Sequence, residues 1–124
     1  MKIYLAGGFH SGWQDIVKER VSKHEYFDPR KDADQKFAYR WTQQEIEAMK
    51  TCDLVFAYFE ADNPSGLGLA KEIGWATILD IPVWYIDEHD RINTFLCACS
   101  QRVYSSFNKA IDDLRKQSNG INTT

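Results

Sequence analysis

Nowhere does the sequence gather the roughly 20 consecutive apolar residues that a membrane-spanning helix requires. The apolar start Ile3-Tyr4-Leu5-Ala6 is too short for a secretory leader, so a cytosolic protein with no membrane partner is the expectation. Cysteine is scarce: Cys52, Cys97 and Cys99 are odd in number, and Cys97-Ala98-Cys99 lacks the two-residue spacer of zinc and redox pairs. All three are expected to be reduced, small apolar side chains, with no metal site. Also missing are Gly-x-Gly-x-x-Gly and any Gly-Lys-Ser or Gly-Lys-Thr, which removes the dinucleotide fingerprint and the Walker loop and lowers the weight of NAD and ATP; no cofactor is expected. There is no excess of positive charge. The formal net charge is −3, and phosphate backbones select basic faces, so a nucleic-acid polymer is not the expected partner and a small molecule remains. With 124 residues and no internal repeat, the chain has room for one core but not for a separate cofactor domain.

What is present is an alternation of strand and helix signals. Residues 2 to 6 form a buried apolar run, and Trp13, Ile16, Val17 and Val21 follow at helical spacing. Glu25 to Pro29 is predicted as a short strand ended by its proline, with Arg30 to Gln35 as a charged loop. Phe37, Tyr39 and Trp41 are aromatic at alternate positions, a stacking wall for a base or a buried flank. Thr42-Gln43-Gln44-Glu45 has capping-box spacing, which predicts a helix starting there and running through Ile46 and Met49. Asp53 to Phe59 is a third strand, Ile81 to Ile86 a fourth, and Arg102 to Tyr104 a fifth. Asp87 to Arg91 is expected as a loop, Ile92 to Cys99 as a short helix, and Ser106 as the cap of a helix whose Phe107, Ile111 and Leu114 share a face. The pattern predicts an α/β chain: a single-domain, flavodoxin/Rossmann-like three-layer fold with a five-stranded parallel sheet. Residues 1 to 116 would form the domain and 117 to 124 a frayed tail.

The chain is organised around Asn63 to Ala76. Asn63-Pro64-Ser65-Gly66 makes a turn after the third strand, and Leu69, Ile73 and Ala76 then recur at helical spacing. In open α/β sheets ligands collect where loops leave the carboxyl ends of strands and enter helices. Glu72 falls within that helix, between Leu69, Ile73 and Ala76, with the small residues Gly68, Ala70 and Gly74 nearby. A helical Glu is often only a solvated helix former; one on an inner face is a candidate for chemistry.

Three stretches, Lys2 to Phe9, Glu45 to Asp53 and Gly66 to Ala76, together resemble the nucleoside 2-deoxyribosyltransferases and the related nucleotide N-hydrolases. The matches keep the family's order and cover roughly residues 2 to 86. The resemblance implies that Glu72 of Glu72-Ile73-Gly74 is the nucleophile, with Tyr4 hydrogen-bonding it, and that Glu45, eight positions before Asp53, holds the nucleobase where the family usually has Asp. Gly7, Gly8, Phe9 and His10 would form the first substrate loop. The family's sugar-binding Asp, six positions before the nucleophile, is replaced by Gly66. Asp62, Asn63, Ser65, Gly66 and Gly68 are therefore the expected second loop. Ser65 stands where the hydrolases contact a 5′-phosphate, whereas His10 occupies a loop in which they supply Arg. The implied activity is transfer of the sugar of a (deoxy)nucleoside to another free nucleobase through a glycosyl-Glu intermediate. The alternatives are hydrolysis of nucleoside 5′-monophosphates and a non-catalytic nucleotide-binding module. The family also assembles, so a homodimer or higher homo-oligomer is expected, with Trp41, Trp75, Trp84 and Phe95 as apolar surplus for an interface.

Overall fold

A computed structural model describes residues 1–89 and 93–118. The elements are β1 (Lys2–Gly7), α1 (Trp13–Arg20), β2 (Glu25–Phe27), α2 (Pro29–Asp32), α3 (Ala38–Met49), β3 (Leu54–Phe59), α4 (Leu67–Ile78), β4 (Val83–Asp87), α5 (Thr94–Ala98), β5 (Arg102–Tyr104) and α6 (Phe107–Lys116). The five strands form one parallel sheet in the order β2-β1-β3-β4-β5. This is the expected three-layer α/β architecture. Among the described residues no helix is long and apolar enough to cross a membrane.

Strand alternation sorts the core into two halves. Ile3 and Leu5 of β1 join Leu54, Phe56, Trp84 and Ile86 on one face, covered by Trp13 and Val17 of α1 and by Ile111 and Leu114 of α6. Tyr4 and Ala6 point the other way, with Val55, Ala57, Val83 and Tyr85, beneath Met49 of α3 and Leu69, Ile73 and Ala76 of α4. The same alternation therefore puts the hydroxyl-bearing Tyr4 under the helix that carries Glu72.

Several local expectations differ from the structure. The charged loop after β2 begins with a short helix: Asp28 Oδ1 accepts the Arg30 N–H at 3.1 Å, and Pro29 fits the first helical position, where a missing donor is harmless. Thr42 is not a cap. Helix α3 begins at Ala38, with Phe37 preceding it, so the capping-box spacing lies inside the helix, whose period sets Trp41, Glu45 and Met49 on one face at intervals of four. Of the apolar surplus, Trp84 is wholly buried in the core, while Phe95 is 84% exposed. Ile16 lies on the outer face of α1. Asp87 belongs to β4, and α5 starts at Thr94 after an Asn93 cap; Arg91 and Ile92 lie outside the described residues. Gln117 is buried and its N–H bonds Leu114 O, while residues 119–124 are outside the description.

Candidate active site

At the carboxyl ends of β1 and β3 the chain opens a cleft of about 460 Å³ between the first loop, α3 and α4. Gly7 makes the exit from β1 possible. Its φ is 154°, and a Cβ there would lie 2.5 Å from Tyr58 O and 2.8 Å from the Trp13 ring. Beyond it, Gly8 O is pinned by two donors, Trp13 Nε1 and Gln14 Nε2, each at 2.9 Å. The opposite wall depends on Gly66, which starts α4 with a φ of 63°; a Cβ would meet the Phe59 ring at 2.8 Å. Asn63 Oδ1 faces the Ser65 and Gly66 N–H groups at 3.4 Å, so this side chain braces its own loop.

The structure gathers most of the sequence-derived candidates. Gly7, Gly8, Phe9, His10, Glu45, Asn63, Ser65, Gly66, Gly68 and Glu72 all line the cleft. Asp62 does not; it is exposed on the loop outside the wall. Tyr4 lies beneath the lining, fully buried against Phe27. Gly74 meets no group that its missing side chain would obstruct. Of the alternating aromatics, Trp41 is on the wall, whereas Phe37 and Tyr39 are exposed and outside it, neither wall nor buried flank. Lys71, Gln35, Leu67 and Leu69 also line the cleft without having been singled out as binding residues. For Lys71 the available signal was its place beside Glu72 at the first turns of a helix entering from the strand ends.

Burial dominates the electrostatics. Glu72 is only 7% exposed, and loss of solvation pushes its carboxyl up to about 8; Tyr4 opposes the rise, the Glu45 carboxylate adds to it, and the Lys71 ammonium opposes it. Tyr4 is raised far above an ordinary phenol, by burial first and by the Glu72 charge next. The two groups are near enough to shift each other, yet neither Tyr4 Oη nor Glu72 Oε2 has a partner in formed hydrogen-bond geometry. Glu45 is raised by burial and drawn back by Lys71, whose Nζ lies 3.9 Å from Glu45 Oε1 and 4.7 Å over the Trp75 ring. The ion pair that Lys71 makes is thus with Glu45. Chemically, the cleft offers a desolvated carboxylate with an unpartnered oxygen, a tyrosine beneath it, and an indole and a second carboxylate to one side.

The fold is that of the flavodoxin-like α/β class, and the solved structures it resembles are more specific. A 2-deoxyribosyltransferase from Bacillus psychrosaccharolyticus superposes with a TM-score of 0.74 at 22% identity, over 95% of this chain and 93% of that one. A 2-deoxyribosyltransferase from Leishmania mexicana gives 0.72 at 18% identity over 95% and 99% of the two chains. The CMP N-glycosidase BcmB of Clostridium botulinum gives 0.66 at 19% identity over 92% and 98%. The fold is therefore shared with proteins of the family that the sequence motifs resemble. Neither a protein-family model nor a curated protein matches the chain.

Proposed function

We propose that the protein is an enzyme acting on the N-glycosidic bond of nucleosides, with Glu72 as nucleophile, and that its reaction is transfer of a 2-deoxyribosyl group between nucleobases. The observation that carries this reading is Glu72 itself: a carboxylate 7% exposed on the wall of an open cleft, one of whose oxygens is buried beside Tyr4 without a partner in formed hydrogen-bond geometry. Burying such a group is costly, and it becomes useful where positive charge develops on a sugar ring. Attack by Glu72 on the anomeric carbon releases the base with the bonding pair and leaves a glycosyl ester. A second base attacking the same carbon regenerates the carboxylate and retains the configuration. Tyr4 orients Glu72 from below. Trp41 offers a face for the base and Glu45 an acceptor for its N–H groups. The Gly8 and Asn63 to Gly68 loops take the sugar.

Hydrolysis of a nucleoside 5′-monophosphate is the second reading. It is favoured by Ser65, Gly66, Leu67 and Gly68 lining one wall at the amino end of α4, where the positive end of the helix dipole suits an anion. A purely binding module is less favoured, because the ion pair made by Lys71 is with Glu45 and leaves Glu72 facing the cleft. Chromatography of a panel of nucleosides and monophosphates, each with and without an added free base, tests the assignment. Exchange of bases, with a sugar adduct on Glu72 in the intact mass spectrum, is the expected result. Release of free sugar alone would favour hydrolysis, and no reaction with any compound would overturn the enzymatic reading.

A further inference from the structure

Resting on that reading, we propose that Lys71 is a catalytic residue of the leaving-group end of the cleft, taking up the negative charge that appears on the departing nucleobase. Among the described residues it is the only Lys or Arg on the cleft wall. Two groups set the place of its ammonium: Nζ lies 3.9 Å from Glu45 Oε1 and 4.7 Å over the centre of the Trp75 ring. Glu45 shares a helix face with Trp41, one turn earlier, and both line the cleft. A base lying against the Trp41 indole is thereby brought to Glu45 and Lys71, while Glu72 remains for the sugar.

The charge balance identifies the role. In the reactive form, with Glu72 ionised, the cleft holds two carboxylates, Glu45 and Glu72, and one ammonium, Lys71. When a Glu72 oxygen bonds to the anomeric carbon, the carbon–nitrogen bond breaks and its electron pair stays on the base nitrogen. Glu72 becomes a neutral ester and the base an anion, so the total is unchanged and one negative charge has moved from Glu72 to the base. In a partly desolvated cleft that charge is stabilised by a nearby cation at its new position on the base. Lys71 supplies it, and the base takes a proton from water on release. Glu45 meanwhile accepts a hydrogen bond from the base and keeps the ammonium in place. Lys71 is 41% exposed at its side chain, so solvent shares the work and the effect is smaller than that of a fully enclosed donor.

The test is leaving-group dependence. For wild type, Lys71→Met and Lys71→Arg, single-turnover base release is measured on the 2′-deoxyribonucleosides that wild type accepts, ordered by acidity of the departing base. Lys71→Met is expected to lose about 10-fold or more on the least acidic bases, against the 10²- to 10³-fold typical of an enclosed transition-state donor. On the most acidic bases it should lose under about threefold, and Lys71→Arg should restore most of the difference. A uniform loss across the series, with the acid limb of kcat/KM moved to higher pH, would overturn the proposal, since Lys71 would then act only through the ionisation of Glu72. If Lys71→Met does not fold, Lys71→Gln carries the same comparison. Failure of wild type to release any base refutes the N-glycosyl reading itself, whereas an active wild type with a flat Lys71→Met series refutes this inference alone.

Discussion

At the scale of single residues the strongest expectations concern Glu72 and Tyr4. Glu72→Gln should lower turnover by several powers of ten, because it removes a covalent route; retention of more than about a tenth of wild-type activity would exclude a nucleophile. The same substitution should make the protein more stable in alkaline solution. Burial raises the Glu72 carboxyl from 4.5 when unfolded to about 8 when folded, so folding is penalised as the group ionises: not at all below pH 4.5, increasingly up to 8, and fully above it. At about 1.4 kcal/mol per unit the penalty amounts to a few kcal/mol. Urea unfolding at pH 9 should therefore favour Glu72→Gln, and the advantage should vanish at pH 4; an advantage independent of pH would contradict it. Tyr4 opposes the rise at Glu72, so Tyr4→Phe should reduce activity more mildly and move the acid limb of kcat/KM to higher pH. An unmoved limb would mean that the phenol does not act on the carboxylate. Glu72 was legible in the sequence because helical spacing placed it among Leu69, Ile73 and Ala76. The Lys71–Glu45 pair was not, since it joins residues 26 positions apart on different helices.

At the scale of elements, the misreading of Thr42 as a cap has a plain cause: a local motif is ambiguous until the neighbouring chain is fixed. Thr42-x-x-Glu45 looks the same inside a helix as at its start, and the aromatic residues Phe37 to Trp41 carry no breaker to mark the true beginning. Thr42→Ala should accordingly change stability by less than about 0.5 kcal/mol, not by the ~1 kcal/mol of a lost cap. Chemical denaturation distinguishes the two. Gly66→Ala should behave oppositely. Its left-handed backbone and the Phe59 ring at 2.8 Å from a new Cβ predict a loss of about 1–3 kcal/mol, with weaker substrate binding as α4's first turn shifts. A variant with wild-type stability would show that Phe59 moves aside freely.

At the scale of the whole molecule, five strand signals separated by helical ones were enough to specify a parallel sheet, because parallel pairing requires crossovers and their hand is nearly fixed. The signals could not show how much apolar surface is left over. Trp84 proved to be core, but Phe37, Tyr39, Leu67, Ile78 and Phe95 are 64–86% exposed, Leu67 on the wall of the cleft itself. A homo-oligomer that covers part of this surface is the expectation; a fully active preparation scattering light as a single 14.4 kDa chain would refute it. The sheet order has a further consequence, in time rather than in space. Strand β1 lies between β2 and β3, and its Lys2 N–H reaches Asp53 Oδ2 at 2.8 Å. A ribosome adding roughly 5–20 residues per second delivers Ile3 and Leu5 several seconds before Leu54 and Phe56 exist to pack beside them. The earliest strand must therefore wait, apolar and with an open edge, for partners not yet made, and a synonymous slowing of translation between residues 28 and 53 would lengthen its exposure to aggregation without changing a single atom of the finished protein.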